Sequence, residues 1–285
     1  MIRYKGRPDD ILTGSLYAKV GDLIYNYLGI ALAKEEDIID AMEKINPLLH
    51  LYKCRNIEDL FLLTLSDESN EILGEVANRL TTNYSYFYRE RIHLDYLSQK
   101  LLPALITDFR NKRKYKLNIW SAACSTGEEA YTLSLIVREV LGIYFNNWTI
   151  KILATDISTR VLEEGKKGIY SQDKLKELPV EWVDKYFDIL NGGYVKIKND
   201  FLRDVEFKVF NLRRGAYHAF DEKFQIVFCR NVFIYFDEEV IDEIVEQLST
   251  CIEVGGHLFT GVSETLGRRH QGRFLFLAPG VYQKI

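Results

Sequence analysis

The chain has 285 residues, 47% hydrophobic and 27% charged, which is the mixture of a globular protein with room for about two cored domains. A net charge of -4 and a pI near 5.8 disfavour nucleic acid or an anionic membrane surface as a partner. No apolar run approaches the roughly 18 residues of a membrane span, and the first ten residues lack a signal core, so a cytoplasmic protein with no direct membrane insertion is expected.

Four cysteines (Cys54, Cys124, Cys229, Cys251) show no CxxC spacing, and the five histidines show no HxxxH or HExxH spacing. Neither a zinc site nor a disulfide framework is expected, and no protein-held metal.

Residues 1–82 read as a small helical domain. Leu16, Val20, Leu23, Ile24, Tyr27 and Leu28 recur at helical spacing, with Gly29 as a stop. A second helix, through Ile38, Ile39, Met42 and Ile45, is predicted to end at Pro47. Ile57, Leu60, Phe61 and Leu63 mark a third, and Ile72, Leu73, Val76 and Leu80 a fourth. Nine basic side chains stand against fourteen acidic ones in residues 1–80, so this domain has an acidic surface.

Residues 83–117 read as a linker and leading helices. The linker begins in the run Thr81 to Glu90, which is dense in hydroxyls and aromatic rings and too apolar to float. Its rings are expected to pack, either as an interdomain hinge or as the wall of a site. A helix from Leu94 to Arg110 follows, interrupted at Pro103.

From residue 118 to 285 the pattern alternates. Leu117 to Glu129 reads as a strand, a turn of small residues at Cys124 to Gly127, and a helix through Tyr131, Leu133 and Ile136. Such a turn lets a ligand approach the backbone and aims a helix N-terminus at it, although an ordinary strand-to-helix connection has the same pattern. Further strands are predicted at Lys151 to Asp156, Val205 to Asn211, Phe224 to Cys229 and His257 to Val262. A helix through Val240 and Leu248 is broken at Gly255-Gly256, and Phe274 to Ile285 forms a closing hairpin. Strands alternating with helices predict an α/β fold with a mostly parallel, Rossmann-like doubly wound sheet. An insertion at about 171–203 departs from the alternation: a helix from Leu175 to Leu190, then an antiparallel strand at Tyr194 to Lys198. On the ligand edge of the sheet, it is expected to set substrate choice.

In an open α/β sheet, ligands lie beyond the carboxyl ends of the strands. Asp156 ends the second strand, where a carboxylate can accept hydrogen bonds from a ribose diol; a helix cap or an ion pair would also account for it. The chain lacks G-x-G-x-x-G, which points away from NAD and toward an adenosine without a pyrophosphate. S-adenosylmethionine is such a ligand.

Five motifs, in order, carry a family resemblance: Asn83-Tyr-Ser-Tyr-Phe-Tyr-Arg-Glu90, Ser121-Ala-Ala-Cys-Ser-Thr-Gly-Glu-Glu129, Ala154-Thr-Asp156, Phe228-Cys-Arg-Asn-Val-Phe-Ile-Tyr-Phe-Asp237 and Gly261-Val-Ser-Glu264. Together they closely resemble CheR, the chemotaxis-receptor glutamate methyltransferase. The likeness runs from Thr81 to the C-terminus. It implies S-adenosylmethionine as cofactor, S-adenosylhomocysteine as product, a chemoreceptor or receptor-like signalling protein as substrate, and a monomeric enzyme. It also implies roles. Glu129 would pair with the methionyl ammonium, Asp156 with the ribose hydroxyls, and Asn211 with Leu212 would border the adenine. Ala122 would contribute to the cofactor site from the end of the first strand. Arg230, Asn231 and Val232 would lie beneath the sulfonium, with Asn83, Ser85 and Arg89 closing the site from the linker. Arg89 and Tyr235 are the candidates to orient the substrate carboxylate. Two roles have simpler alternatives: first-turn helix electrostatics for Glu129, and core packing beside Phe233 and Phe236 for Tyr235.

The chain departs from the family pattern in three places. Ser85 stands for a threonine and keeps its hydroxyl, and Phe87-Tyr88 stands for Phe-Phe. Where the family carries an Arg-rich helix, this chain has Glu35, Glu36, Asp37, Asp40 and Glu43, a face that should repel an acidic receptor bundle. A catalytically weak S-adenosylmethionine-binding regulator that docks a signalling partner is the alternative function, and a nicotinamide oxidoreductase suffers from the missing glycine fingerprint.

Overall fold

The computed structural model describes residues 8–67 and 69–285. Four helices come first: α1 (Pro8–Leu28), α2 (Glu35–Leu51), α3 (Ile57–Thr64) and α4 (Glu71–Leu80). They enclose their own core of Val20, Ile24, Ile45, Leu48, Leu60, Phe61 and Val76. The Asn56 side chain caps α3 by accepting from the Asp59 N–H at 2.8 Å. Glu35, Glu36 and Asp37 place negative charge at the positive end of α2. Contrary to the sequence expectation, α2 does not end at Pro47 but runs on to Leu51. Pro47 is exposed, so the carbonyl it leaves unbonded faces water, while fully buried Leu48 holds the next turn in the core.

The helical layer closely approaches the turn after Asp156 at Gly74 on α4. A Cβ there would lie 2.7 Å from the Ile157 carbonyl oxygen and 3.0 Å from the Ser158 Cα, both backbone atoms that cannot swing aside. Gly74→Ala is therefore expected to cost about 1–3 kcal/mol of stability despite the better helix propensity of alanine. Urea unfolding checks this, and a stabilised variant would refute the close approach.

After α4 come α5 (Arg91–Tyr96), a wide π turn (Leu97–Leu101) and α6 (Leu102–Asn111). The predicted interruption at Pro103 takes this form: the helix widens just before the proline and restarts with Pro103 in its first turn, where a missing N–H leaves no gap.

The alternating part runs β1 (Lys116–Ala122), α7 (Glu128–Leu141), β2 (Thr149–Asp156), α8 (Thr159–Lys167), β3 (Ile169–Ser171), α9 (Val180–Tyr186), β4 (Phe187–Leu190), β5 (Tyr194–Ile197) and α10 (Asn199–Leu202). It continues with β6 (Val205–Val209), β7 (Phe224–Phe228), α11 (Glu238–Cys251), β8 (Ile252–Phe259), β9 (Phe274–Ala278) and β10 (Val281–Lys284). Seven strands form one sheet in the order β6-β2-β1-β7-β8-β10-β9, in which β10 alone runs opposite to the other six. Successive β1 residues serve opposite faces: Ile119 packs in one core with Ile136 and Leu133, and Trp120 in the other with Val227 and Leu248. Both faces are covered, as a parallel sheet requires. No described helix is long and apolar enough to cross a membrane.

Three sequence expectations are corrected here. Gly255 and Gly256 do not precede β8 but lie inside it, beside a register shift on β7 between Phe224 and Ile226, where they serve as a bulge. The third strand stops at Val209 and leaves Asn211 in a turn that Gly215 N–H closes onto the Asn211 carbonyl. The inserted segment is not helical from Leu175 to Leu190. Its last four residues are β4, paired antiparallel to β5 from Phe187↔Ile197 to Leu190↔Tyr194 across the Gly192-Gly193 turn. With β3 this makes a three-stranded sheet in the order β3-β5-β4.

Candidate active site

The site is built on the turn between β1 and α7. Ala123 (φ 64°), Ser125 (φ 51°) and Gly127 (φ 89°) all adopt left-handed backbone, a strain that clusters at functional sites. Gly127 tolerates it without penalty, and a side chain there would strike the Phe207 ring, 2.9 Å from an added Cβ. The turn is held by Asp156 at the end of β2: Ser125 N–H donates to its Oδ2 at 2.9 Å and Ser158 N–H to its Oδ1 at 3.1 Å. Burial raises the Asp156 pKa above its ordinary value, and these backbone hydrogen bonds oppose the shift.

Glu128 and Glu129 open α7 and do different work. Glu128 is fully buried, pairs with Lys174 from the insertion and accepts from the Thr126 hydroxyl at 2.8 Å. Glu129 receives one hydrogen bond on each oxygen, from Ser121 Oγ at 2.6 Å and from Arg230 Nη1 at 3.1 Å. Each oxygen keeps a lone pair for a ligand. Arg230, only 2% exposed in its side chain, also donates through Nη2 to the Arg89 carbonyl at 2.7 Å and to Glu90 at 3.0 Å.

The aromatic run after α4 packs in part: Phe87 and Tyr88 are buried, whereas Tyr84 stays exposed. Phe87 is fully buried edge-on against Tyr170 and Phe187 of the small sheet, with ring centroids 4.9 and 5.3 Å away. Asn83 donates to Asn78 at 2.7 Å, and Asn78 to Ser158 at 2.6 Å. Tyr235 is fixed by this run: its hydroxyl accepts from Thr82 N–H and donates to the Thr82 carbonyl, each at 3.1 Å.

These elements surround a cavity of about 300 Å³, within the range of small-molecule sites. Asn83, Ser85, Arg89, Glu129, Asp156, Asn211, Leu212, Arg230, Asn231, Val232 and Tyr235 all line it. Ala122 does not. It lies fully buried in the core behind the end of β1, and Ala123, turned outward by its left-handed backbone, takes its place on the wall. None of the described lining residues comes from the inserted segment.

Sequence reasoning missed the wall supplied by the helical domain: Leu28, Ile30, Ala77 and Asn78. Ile30 bridges to Phe236, and Asn211 Nδ2 donates to the Tyr27 carbonyl at 3.1 Å, contacts between residues so distant in the chain that no local pattern announces them. Glu264 was quoted in a motif without a role. It accepts from the N–H groups of Asn231, Phe233 and Gly261 at 2.9, 2.9 and 2.6 Å and so shapes the loop after β7.

The residues present fit an adenosine-bearing cation. Two carboxylates, Glu129 and Asp156, face a space walled on one side by Leu28, Ile30, Ala123, Leu212 and Val232; of the two arginines that also line it, Arg230 is already neutralised by Glu90 and Glu129. Ser125 Oγ is buried with no partner among the described residues, an orphan that a polar ligand would satisfy. A mostly parallel sheet with such a cavity at the carboxyl ends of its strands defines the class of Rossmann-like enzymes with a nucleoside cofactor.

Residues 83–280 match the family described as CheR methyltransferase, SAM binding domain. A chemotaxis protein methyltransferase of Borreliella burgdorferi is 33% identical over 92% of this chain and 91% of its own length. Those of Escherichia coli and Salmonella typhimurium are 32% and 31% identical over 95% and 89% of this chain, and 91% and 84% of their own. The chain belongs to the CheR methyltransferase family. It is an S-adenosylmethionine-dependent methyltransferase.

Proposed function

We propose that this protein transfers the methyl group of S-adenosylmethionine to glutamate side-chain carboxylates of a chemoreceptor or a related signalling protein, leaving glutamyl methyl esters and S-adenosylhomocysteine. The chemotaxis names of its relatives support the receptor as substrate class. The observation that carries the reading is the contrast between two cavity arginines. Arg230 is neutralised by Glu90 and Glu129, whereas Arg89 makes no ion pair among the described residues and gives one hydrogen bond, from Nη1 to the Tyr84 carbonyl at 2.8 Å. Arg89 is a cation left available for an incoming carboxylate.

Bound S-adenosylmethionine supplies an electrophilic methyl group on a sulfonium. The nucleophile needs no general base, because a glutamate side chain with a reference pKa near 4.3 is almost wholly ionised at pH 7. The protein's part is to orient, exclude water and balance charge. Glu129 holds the ammonium, Asp156 the ribose hydroxyls, and Asn211 with Leu212 borders the adenine. Asn231 and Val232 line the floor; Asn83 and Ser85 close the linker side. Buried Arg230 with the partly buried Glu90 and Glu129 carries a net charge of about -1, which a cationic ligand completes. Arg89 turns the substrate carboxylate toward the methyl group. Tyr235, its hydroxyl held by Thr82 on the cavity wall, braces the linker that carries Arg89 and stands beside it as the second candidate to orient the substrate carboxylate.

The acidic residues of α2 make that helix a poor dock for acidic receptor helices. Incubating the full chain with methyl-labelled S-adenosylmethionine and receptor cytoplasmic fragments is expected to give label that alkali releases as methanol. Absence of base-labile label, with the cofactor bound, would refute the glutamyl ester.

A further inference from the structure

Glu90 is not among the residues that line the cavity, yet its carboxylate joins three separate stretches of chain behind it. Its Oε2 accepts from Arg230 Nη2 at 3.0 Å and Nε at 3.3 Å, and from Val262 N–H at 3.1 Å; its Oε1 accepts from Asn231 Nδ2 at 2.8 Å. His93 Nδ1 lies 3.4 Å from Oε2, while Nε2 of the same ring donates to the Pro279 carbonyl at 2.8 Å. Glu90 holds left-handed backbone at φ 54°, a conformation that a non-glycine residue keeps only when its surroundings impose it.

The geometry at Arg230 explains what this arrangement achieves. A guanidinium is a planar fork that prefers to close on one carboxylate with two parallel hydrogen bonds. Glu90 takes the Nε and Nη2 edge, and the Arg89 carbonyl takes Nη2 as well, which leaves Nη1 for Glu129. Were Glu90 uncharged, Arg230 would be drawn onto both oxygens of Glu129, its remaining carboxylate partner. The Glu129 lone pairs that face the cavity would then be consumed.

We infer that Glu90 is a positioning residue which, by clamping one edge of Arg230, keeps the Glu129 carboxylate open to the cationic end of the cofactor. Burial pushes the Glu90 carboxyl up, but the hydrogen bond from Asn231 and the charge and hydrogen bonds of Arg230 outweigh burial and hold it well below the usual carboxylate range.

This role rests on the cofactor site proposed above, and a double-mutant cycle read by calorimetry with S-adenosylhomocysteine tests it in the full chain. Glu90→Gln, of equal size but turning an amide toward a guanidinium, is expected to weaken binding roughly 10-fold, and Glu129→Gln roughly 10- to 100-fold. Because Glu90 acts through Glu129, the double variant is expected to bind within about 2-fold of Glu129→Gln alone. A purely structural Glu90 would make the two losses multiply, and that result would overturn the inference. If Glu90→Gln gives no cooperative melt, Glu90→Asp carries the same cycle, with a loss of roughly 3-fold and the same non-additivity expected. Wild-type chain that binds S-adenosylhomocysteine but leaves receptor fragments unmethylated would overturn the substrate reading and leave the Glu90 clamp standing. Wild-type chain that fails to bind it would overturn both.

Discussion

Replacing Arg89 with alanine is expected to slow methyl transfer about 100-fold while leaving the affinity for S-adenosylhomocysteine within a few-fold of wild type. The two effects separate because the two ends of this residue do different things. Its carbonyl oxygen, unchanged by the substitution, receives Arg230 Nη2 and so preserves the arrangement around Glu129. Its guanidinium, held by a single hydrogen bond to the Tyr84 carbonyl, is the part free to meet the substrate. Losing it removes orientation of the nucleophile, and misplacement of reacting atoms by about 1 Å is enough for a loss of this size. The check is the rate of base-labile methyl incorporation into receptor fragments, with a thermal melt confirming the fold. A wild-type rate would show that another group orients the carboxylate.

Asp156→Ala is expected to weaken S-adenosylhomocysteine binding roughly 10- to 150-fold, from the roughly 1.5–3 kcal/mol of a charged hydrogen bond. It should also lower the melting temperature, which a residue that only touched ligand would not do. Both carboxylate oxygens already receive backbone N–H groups, from Ser125 and Ser158, and alanine leaves these donors unsatisfied beside a strained turn. Asp156→Asn keeps one oxygen for this bracing and separates the contributions: affinity falls nearly as far, and the melt shifts less. Calorimetry showing unchanged affinity for the alanine variant would remove Asp156 from the ligand site.

What could be read from the residues followed the range of the interactions concerned. The β1–α7 turn, Asp156 and the loop from Arg230 to Tyr235 sit at strand ends, where a local switch from apolar run to small or polar residues marks the place. Ala122 stands one position behind the cavity wall because side chains alternate along a strand, and the left-handed residue that turns outward is the next one, Ala123. Pro47 and Gly255-Gly256 misled for a related reason: a helix-breaking or strand-breaking residue is tolerated when it is exposed or when it forms a bulge, and tertiary packing decides which. β4 was hidden because the apolar spacing of α9 runs on without a break into Phe187 to Leu190. The helical wall left no trace in local pattern, and Glu90 stood at the end of a motif without a role, since their partners, such as Asn211 for Tyr27 and Arg230 for Glu90, lie more than a hundred residues away.

The wall formed by Leu28, Ile30, Ala77 and Asn78 places the cavity between two separately cored layers, so that a cofactor bound in the proposed site would touch both. Anything that binds across a junction and not to its separated halves stabilises the closed arrangement, by about 2.7 kcal/mol at a ligand concentration 100 times the dissociation constant. A ligand held between them would tighten a contact already made by the close approach at Gly74, the Asn78 to Ser158 and Asn211 to Tyr27 hydrogen bonds, the Ile30 bridge to Phe236 and the Tyr235 latch on Thr82, among others. By reciprocity, a partner that pulls the helical layer away from the sheet weakens cofactor binding by the same factor.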